Sequence, residues 1–71
     1  MNGSVAIGIL NIIRDRAYMQ GEIARRAGFT TQQFNDMLHD RKVIRADYMP
    51  QIARALSVSV QDIYDAGNLG A

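Results

Sequence analysis

The tripeptide Gly28-Phe29-Thr30 constrains this chain more than any other stretch, because it divides two short helical patterns too abruptly for them to stay collinear. Before it, Ile23, Ala24 and Ala27 recur at helical spacing; after it, Phe34, Met37 and Leu38 do the same. Gly28 stands where a chain leaving a helix turns left-handed, a conformation that glycine adopts at least cost. Thr30 is placed to cap the second helix, and Gln33, three residues on, completes a capping box. The small Ala24 lets the two helices cross closely and at a steep angle. Residues 20–39 therefore form two helices locked across a tight turn.

The rest of the chain supplies a helical scaffold around that hairpin. Ser4 is a candidate cap for a first helix running to about Ala17, with Val5, Ile9, Ile12 and Ile13 as its apolar stripe. Gly8 inside this helix costs roughly 1 kcal/mol relative to alanine, which marks a place where another helix packs closely. A fourth helix carries Met49, Ile52, Ala53 and Leu56 inward, with Pro50 near its start, where a missing N–H does least harm. Ser59 caps a short fifth helix, Asp62 suits its dipole, and Val58 is placed to staple to Ile63. That helix is expected to end near Gly67 and the tail to fray. Tyr64 is expected mainly to pack in the core, although with Val60 and Leu69 it offers a small apolar patch. The expected architecture is all-α, a compact five-helix bundle with helices at about 4–17, 20–27, 31–39, 47–57 and 60–66.

Composition bounds the possibilities. Seventy-one residues make a single domain, and 48% hydrophobic with 21% charged residues is ordinary for a folded one. There is no cysteine and only one histidine, so disulfides, thiolate metal sites, histidine clusters and a catalytic triad lack material. No Gly-rich phosphate loop or pair of carboxylates in an evident cleft is present either, and no enzyme, cofactor or small-molecule ligand is expected. The apolar run Val5 to Ile13 is too short for a membrane span and lacks the flanks of a signal peptide, which fits a cytoplasmic protein. A net charge of +1 says little, but its distribution says more. Arg14, Arg16, Arg25, Arg26, Arg41, Lys42 and Arg45 face only Asp15, Glu22, Asp36 and Asp40 within residues 14–46, while the remainder is acidic on balance. Scattered bases often do no more than solvate helix faces. These also gather around the hairpin, as a phosphate-facing surface requires, and on charge alone solvation is the more ordinary of the two readings.

The hairpin also resembles a known family. Gln20, Ala24, Gly28, Phe34 and Met37 fall at the spacing seen in Cro/XRE-type, phage-repressor-like helix-turn-helix DNA-binding domains. The segment Ile52-Ala53-Arg54-Ala55-Leu56-Ser57-Val58-Ser59 is similar to that family's fourth helix and the turn into its fifth, so the likeness spans roughly residues 6–65. The resemblance implies binding of double-stranded DNA, with the third helix in the major groove, by a bacterial or phage transcriptional regulator. It also implies that Gln20, at the open N-terminus of the second helix, holds a phosphate. The chain departs from the family pattern at Met19, where Ser or Thr is usual, and this removes a capping bond worth about 1 kcal/mol. His39 stands where the family commonly has an Asn contacting the DNA backbone, a contact an imidazole N–H can also make. Asp40 replaces the usual Gly and tolerates the left-handed region better than most residues.

Rotation at 100° per residue about the third helix sets Gln32, Asp36 and His39 opposite the buried Phe34, with Asn35 on one flank and Gln33 turned back to the hairpin. Thr31 reaches forward from the first turn. The expected base-reading residues are therefore Thr31, Gln32, Asn35 and Asp36. Gln and Asn suit adenine, and Asp accepts from cytosine N4. Asp36 is the least comfortable of them, since phosphates repel it unless a cytosine amino group or a nearby Arg compensates; exposure, or specificity by exclusion, are its other roles. Gln20, His39, Arg41, Lys42 and Arg45 are the expected phosphate contacts, the last three in the loop after the reading helix. Such domains gain specificity by pairing on a two-fold operator, so a homodimer on DNA is expected. The alternative is a small helical protein-interaction module, antitoxin-like, with the same fold and little DNA affinity.

Overall fold

In the computed structural model, which describes residues 3–68, the apolar repeats fold into α1 (Gly3–Asp15), α2 (Gln20–Arg26), α3 (Thr31–Leu38), α4 (Met49–Leu56) and α5 (Val60–Asn68). A 3-10 turn, Ala46–Tyr48, leads into α4. No strand occurs among the described residues, so the all-α expectation holds.

Four of the helices finish with one device. A residue in the left-handed region, Ala17 (φ 56°), Gly28 (88°), Asp40 (61°) or Ser57 (61°), turns the chain back. The next backbone N–H then bonds a carbonyl five residues earlier: Tyr18 to Ile13 at 2.9 Å, Phe29 to Ala24 at 2.9 Å, Arg41 to Asp36 at 2.8 Å and Val58 to Ala53 at 3.0 Å. This closure satisfies carbonyls that a helix end otherwise leaves open, and it brings the side chains of the two joined residues together. In three cases both members are apolar and join or flank the core. In α3 they are Asp36 and Arg41.

The core is built from Ile9, Ile12 and Ile13 of α1, Ile23 and Ala24 of α2, Phe34, Met37 and Leu38 of α3, Met49, Ile52 and Leu56 of α4, and Ile63 of α5. Phe29 in the turn lies between Phe34, stacked at 6.2 Å, and Tyr48, edge-on at 5.0 Å. Gln51 of α4 donates from Nε2 to the Ala27 carbonyl at 2.8 Å and so closes the end of α2 from outside the hairpin. The Thr30–Gln33 capping box is present in both directions, at 3.0 and 2.8 Å. Ser59 and Asp62 form the same arrangement ahead of α5, each bond 3.0 Å long.

The close approach anticipated at Gly8 is a crossing with α5. A Cβ on Gly8 would lie 2.1 Å from the Ile63 carbonyl oxygen, and one on Gly67 would lie 1.9 Å from that of Ser4. Asn11 adds a bond from Nδ2 to the Ala66 carbonyl at 3.0 Å.

Several expectations need correction. Ser4 does not cap α1: the helix already includes Gly3, and the Ser4 carbonyl lies under Gly67 within the first turn. The helix stops at Asp15 rather than Ala17, because left-handed Ala17 lets the Tyr18 hydroxyl reach the Leu56 carbonyl at 3.2 Å. Helix α4 starts at Met49 rather than 47, since Ala46–Tyr48 is wound more tightly. At the other end, α5 continues through Gly67 to Asn68, held by the crossing. Tyr64 is 38% exposed and is not a core residue. Ile63 and Gly67 already fill the inward stripe of so short a helix, and Tyr64 lies a further 100° round. Leu69 and the rest of the expected frayed tail lie outside the described residues.

Candidate nucleic-acid interface

The first turns of α2 and α3 sit side by side. Thr31 Oγ1 is 3.7 Å from where a Cβ on Gly21 would be, an ordinary contact distance. Met19 precedes α2 in an extended conformation and makes no side-chain cap, as its thioether dictates. Its free N–H groups are thus open to an external acceptor. Gln20 Nε2 donates to Asn35 Oδ1 at 3.1 Å, which ties the start of α2 to the middle of α3 and half-buries both side chains. Asn35 is accordingly on the flank of α3, as the rotation implied, and one of its acceptor positions is occupied.

The outward face of α3 carries exposed Thr31 and Gln32, with His39 exposed at the helix end. Asp36 lies on this face too, but its side chain is only 24% exposed because two partners converge on one oxygen. Gln32 Nε2 and Arg41 Nε each donate to Asp36 Oδ1 at 2.9 Å. The backbone N–H groups of Arg41 and Lys42 bond the Asp36 carbonyl at 2.8 and 3.2 Å. The hydrogen bond from Arg41, aided by Gln32 and by the charges of Arg41 and Lys42, holds the Asp36 carboxyl below the usual carboxylate range; loss of surrounding water opposes this and is outweighed. Of the compensations open to Asp36, a nearby Arg is the one present.

The loop after α3 exposes Arg41, Lys42, Val43 and Arg45. Arg45 makes a two-pronged contact with Asp47 at 3.1 and 3.3 Å, and its guanidinium carbon sits 5.6 Å from the Tyr48 ring centre. On α2, Glu22 bonds Arg25 and also lies 3.4 Å from Arg26. Much of the positive charge counted in the sequence is therefore shared with exposed carboxylates. Exposed pairs of this kind contribute at most about 1 kcal/mol, so a polyanion can compete for the bases. Val43, 64% exposed in the middle of the basic loop, is a contact candidate that attention to residue charge passed over. Its position between Lys42 and Arg45 was the available signal.

Among the described residues no group of His, Cys, Asp or Glu is arranged to hold a metal ion, and no helix is long and apolar enough to cross a membrane. No buried side-chain polar atom among them lacks a hydrogen-bond partner, so the polar groups that remain to be satisfied are on the surface.

No curated protein and no solved structure matches this chain. A family model described as a Cro/C1-type HTH DNA-binding domain matches residues 9–66. That span takes in most of α1, the α2–α3 hairpin, the basic loop and the scaffold helices beyond it. The chain belongs to the Cro/C1-type helix-turn-helix DNA-binding family.

Proposed function

We propose that this DNA-binding domain is a sequence-specific transcriptional regulator that inserts α3 into the major groove, acting as a homodimer on a two-fold operator in the cytoplasm of a bacterial or phage-infected cell. The observation that carries this reading is the exposed polar face of α3. Gln32 offers an amide whose orientation Asp36 fixes, and Thr31 stands beside it. A preset amide suits the paired N6 and N7 contacts of adenine, because less side-chain freedom is lost on binding.

Gln20 serves two purposes in this scheme. Its amide braces Asn35 while the uncapped start of α2 receives a phosphate oxygen. Lys42 and Arg45 follow the strand edge, and His39 at the end of α3 donates a ring N–H to the backbone. These contacts position the domain without reading sequence.

Selection of bound duplexes from a randomised pool tests the proposal. The expected product is a palindrome whose half-sites lie about one helical turn apart. Gln32→Ala should then relax the preference at one base pair per half-site by about 1–3 kcal/mol. Normal binding by that variant with an unchanged base preference would show that the face has been assigned wrongly.

A further inference from the structure

The loop position of Arg41 suggests a phosphate contact, yet its Nε is bonded to Asp36 on α3. The closure of α3 folds Arg41 back beside Asp36, five residues earlier, and the guanidinium meets the carboxylate on the same oxygen that holds Gln32. The corresponding pairs at the ends of α1, α2 and α4 are apolar and serve packing. Only in α3, among the described residues, does this device join two charged side chains, and it does so on the outward face.

We infer that Arg41 is a base-reading residue, aimed by Asp36 at a guanine next to the base pair read by Gln32, and that Asp36 is a positioning residue for both. This rests on the proposal that α3 enters the major groove. Three features support it. An arginine bonded through Nε keeps its end-on edge, the two terminal nitrogens, for a partner with two acceptors, and guanine O6 and N7 form such a partner. A carboxylate 2.9 Å from the guanidinium disfavours a phosphate at the same place, because it repels the phosphate charge. Arg41 is also 55% exposed, so the edge is accessible. Asp36 is tied to its neighbours as a positioning residue would be: its Oδ1 accepts from both Gln32 and Arg41, and its main-chain oxygen from the loop.

The experiment compares duplex selections for the intact chain and for Arg41→Lys, Arg41→Ala, Asp36→Ala and Gln32→Ala, each first checked by thermal melting, with affinities measured on selected and random duplexes across a salt series. Arg41→Lys keeps the charge but loses the two-pronged edge. It should bind random duplex nearly as tightly as the parent and lose discrimination at one guanine per half-site by roughly 5- to 150-fold. Asp36→Ala should loosen both the guanine and the neighbouring adenine preference while raising affinity for random duplex, since a negative charge leaves the face. If Arg41→Ala instead weakens all sequences equally, lowers the salt slope by about one and leaves every base preference intact, Arg41 is a phosphate contact and the inference fails. That outcome with an altered preference in Gln32→Ala leaves the α3 reading standing. An unaltered preference in both variants refutes the reading and the inference together.

Discussion

Replacing Gly8 with alanine sets two effects of opposite sign against each other. As a change within a helix it is favourable, by about 1 kcal/mol of intrinsic propensity. In the fold, the new Cβ would lie 2.1 Å from the Ile63 carbonyl oxygen, where ordinary contact begins near 3.4 Å. Helices α1 and α5 must therefore separate by about an ångström at their crossing, and backbone on both sides prevents a side-chain rearrangement from absorbing the strain. Separation loosens the packing of Ile9 and Ile63, which are both fully buried, and lengthens the Asn11–Ala66 bond. Overpacking costs typically 1–3 kcal/mol and occasionally more, and with backbone on both sides the cost here is about 2–4 kcal/mol; less the propensity gain, the net change should be a loss of about 1–3 kcal/mol. For a domain of this size that is a fall in Tm of roughly 5–20 °C. Gly21→Ala is the matched control. Its Cβ would meet only Thr31 Oγ1, at an ordinary 3.7 Å, so the propensity gain should survive and raise Tm by several degrees. Circular-dichroism melts of the two variants beside the parent decide the matter. A Gly8→Ala protein as stable as the parent, or more so, would refute the crossing as the reason for glycine at that position.

Met19→Ser should stabilise the fold by about 1 kcal/mol, seen as a higher midpoint in chemical denaturation, because the backbone there is already extended as a cap requires and only the acceptor is missing. Carbon-detected NMR titration should find Asp36 ionising below the usual carboxylate range in the parent and nearer to it in Arg41→Ala. Since the folded-state value is the depressed one, the stability linked to Asp36 is fully present above the unfolded-state value, undiminished at neutral pH, and disappears as pH falls through the folded-state value. Lys42→Ala should weaken binding to all duplexes alike and lower the salt slope by about one, measured by fluorescence anisotropy over a salt series.

What could be read from the residues, and what could not, follows from the range of the interactions. The turn was legible because its determinants are local: Gly28, Thr30 and Gln33 each act within four residues. Gly8 announced a close neighbour but not which one, since Gly67 lies far along the chain and itself looked like a helix terminus. Tyr64 was misjudged because glycine at 67 counts as part of an inward stripe only once its partner is known. The Ser4 cap failed for the same reason, since α5 takes up the start of α1. On the candidate interface, rotation placed Gln32 and Asn35 correctly, yet the junction of Gln32, Asp36 and Arg41 escaped it. Helical periodicity stops where the helix stops, and Arg41 returns to Asp36 only through left-handed Asp40.

The bond from Gln51 to the Ala27 carbonyl bears on how this domain can be altered. The angle between α2 and α3 is governed partly by a residue of α4, twenty-four positions downstream of the carbonyl it holds. A hairpin cut out as a peptide, or grafted onto a foreign bundle, would carry its chemical groups along and leave its pitch behind. Exchanging surface side chains of α3 in place leaves that support intact, whereas a graft meant to keep it must carry α4 with its Gln51.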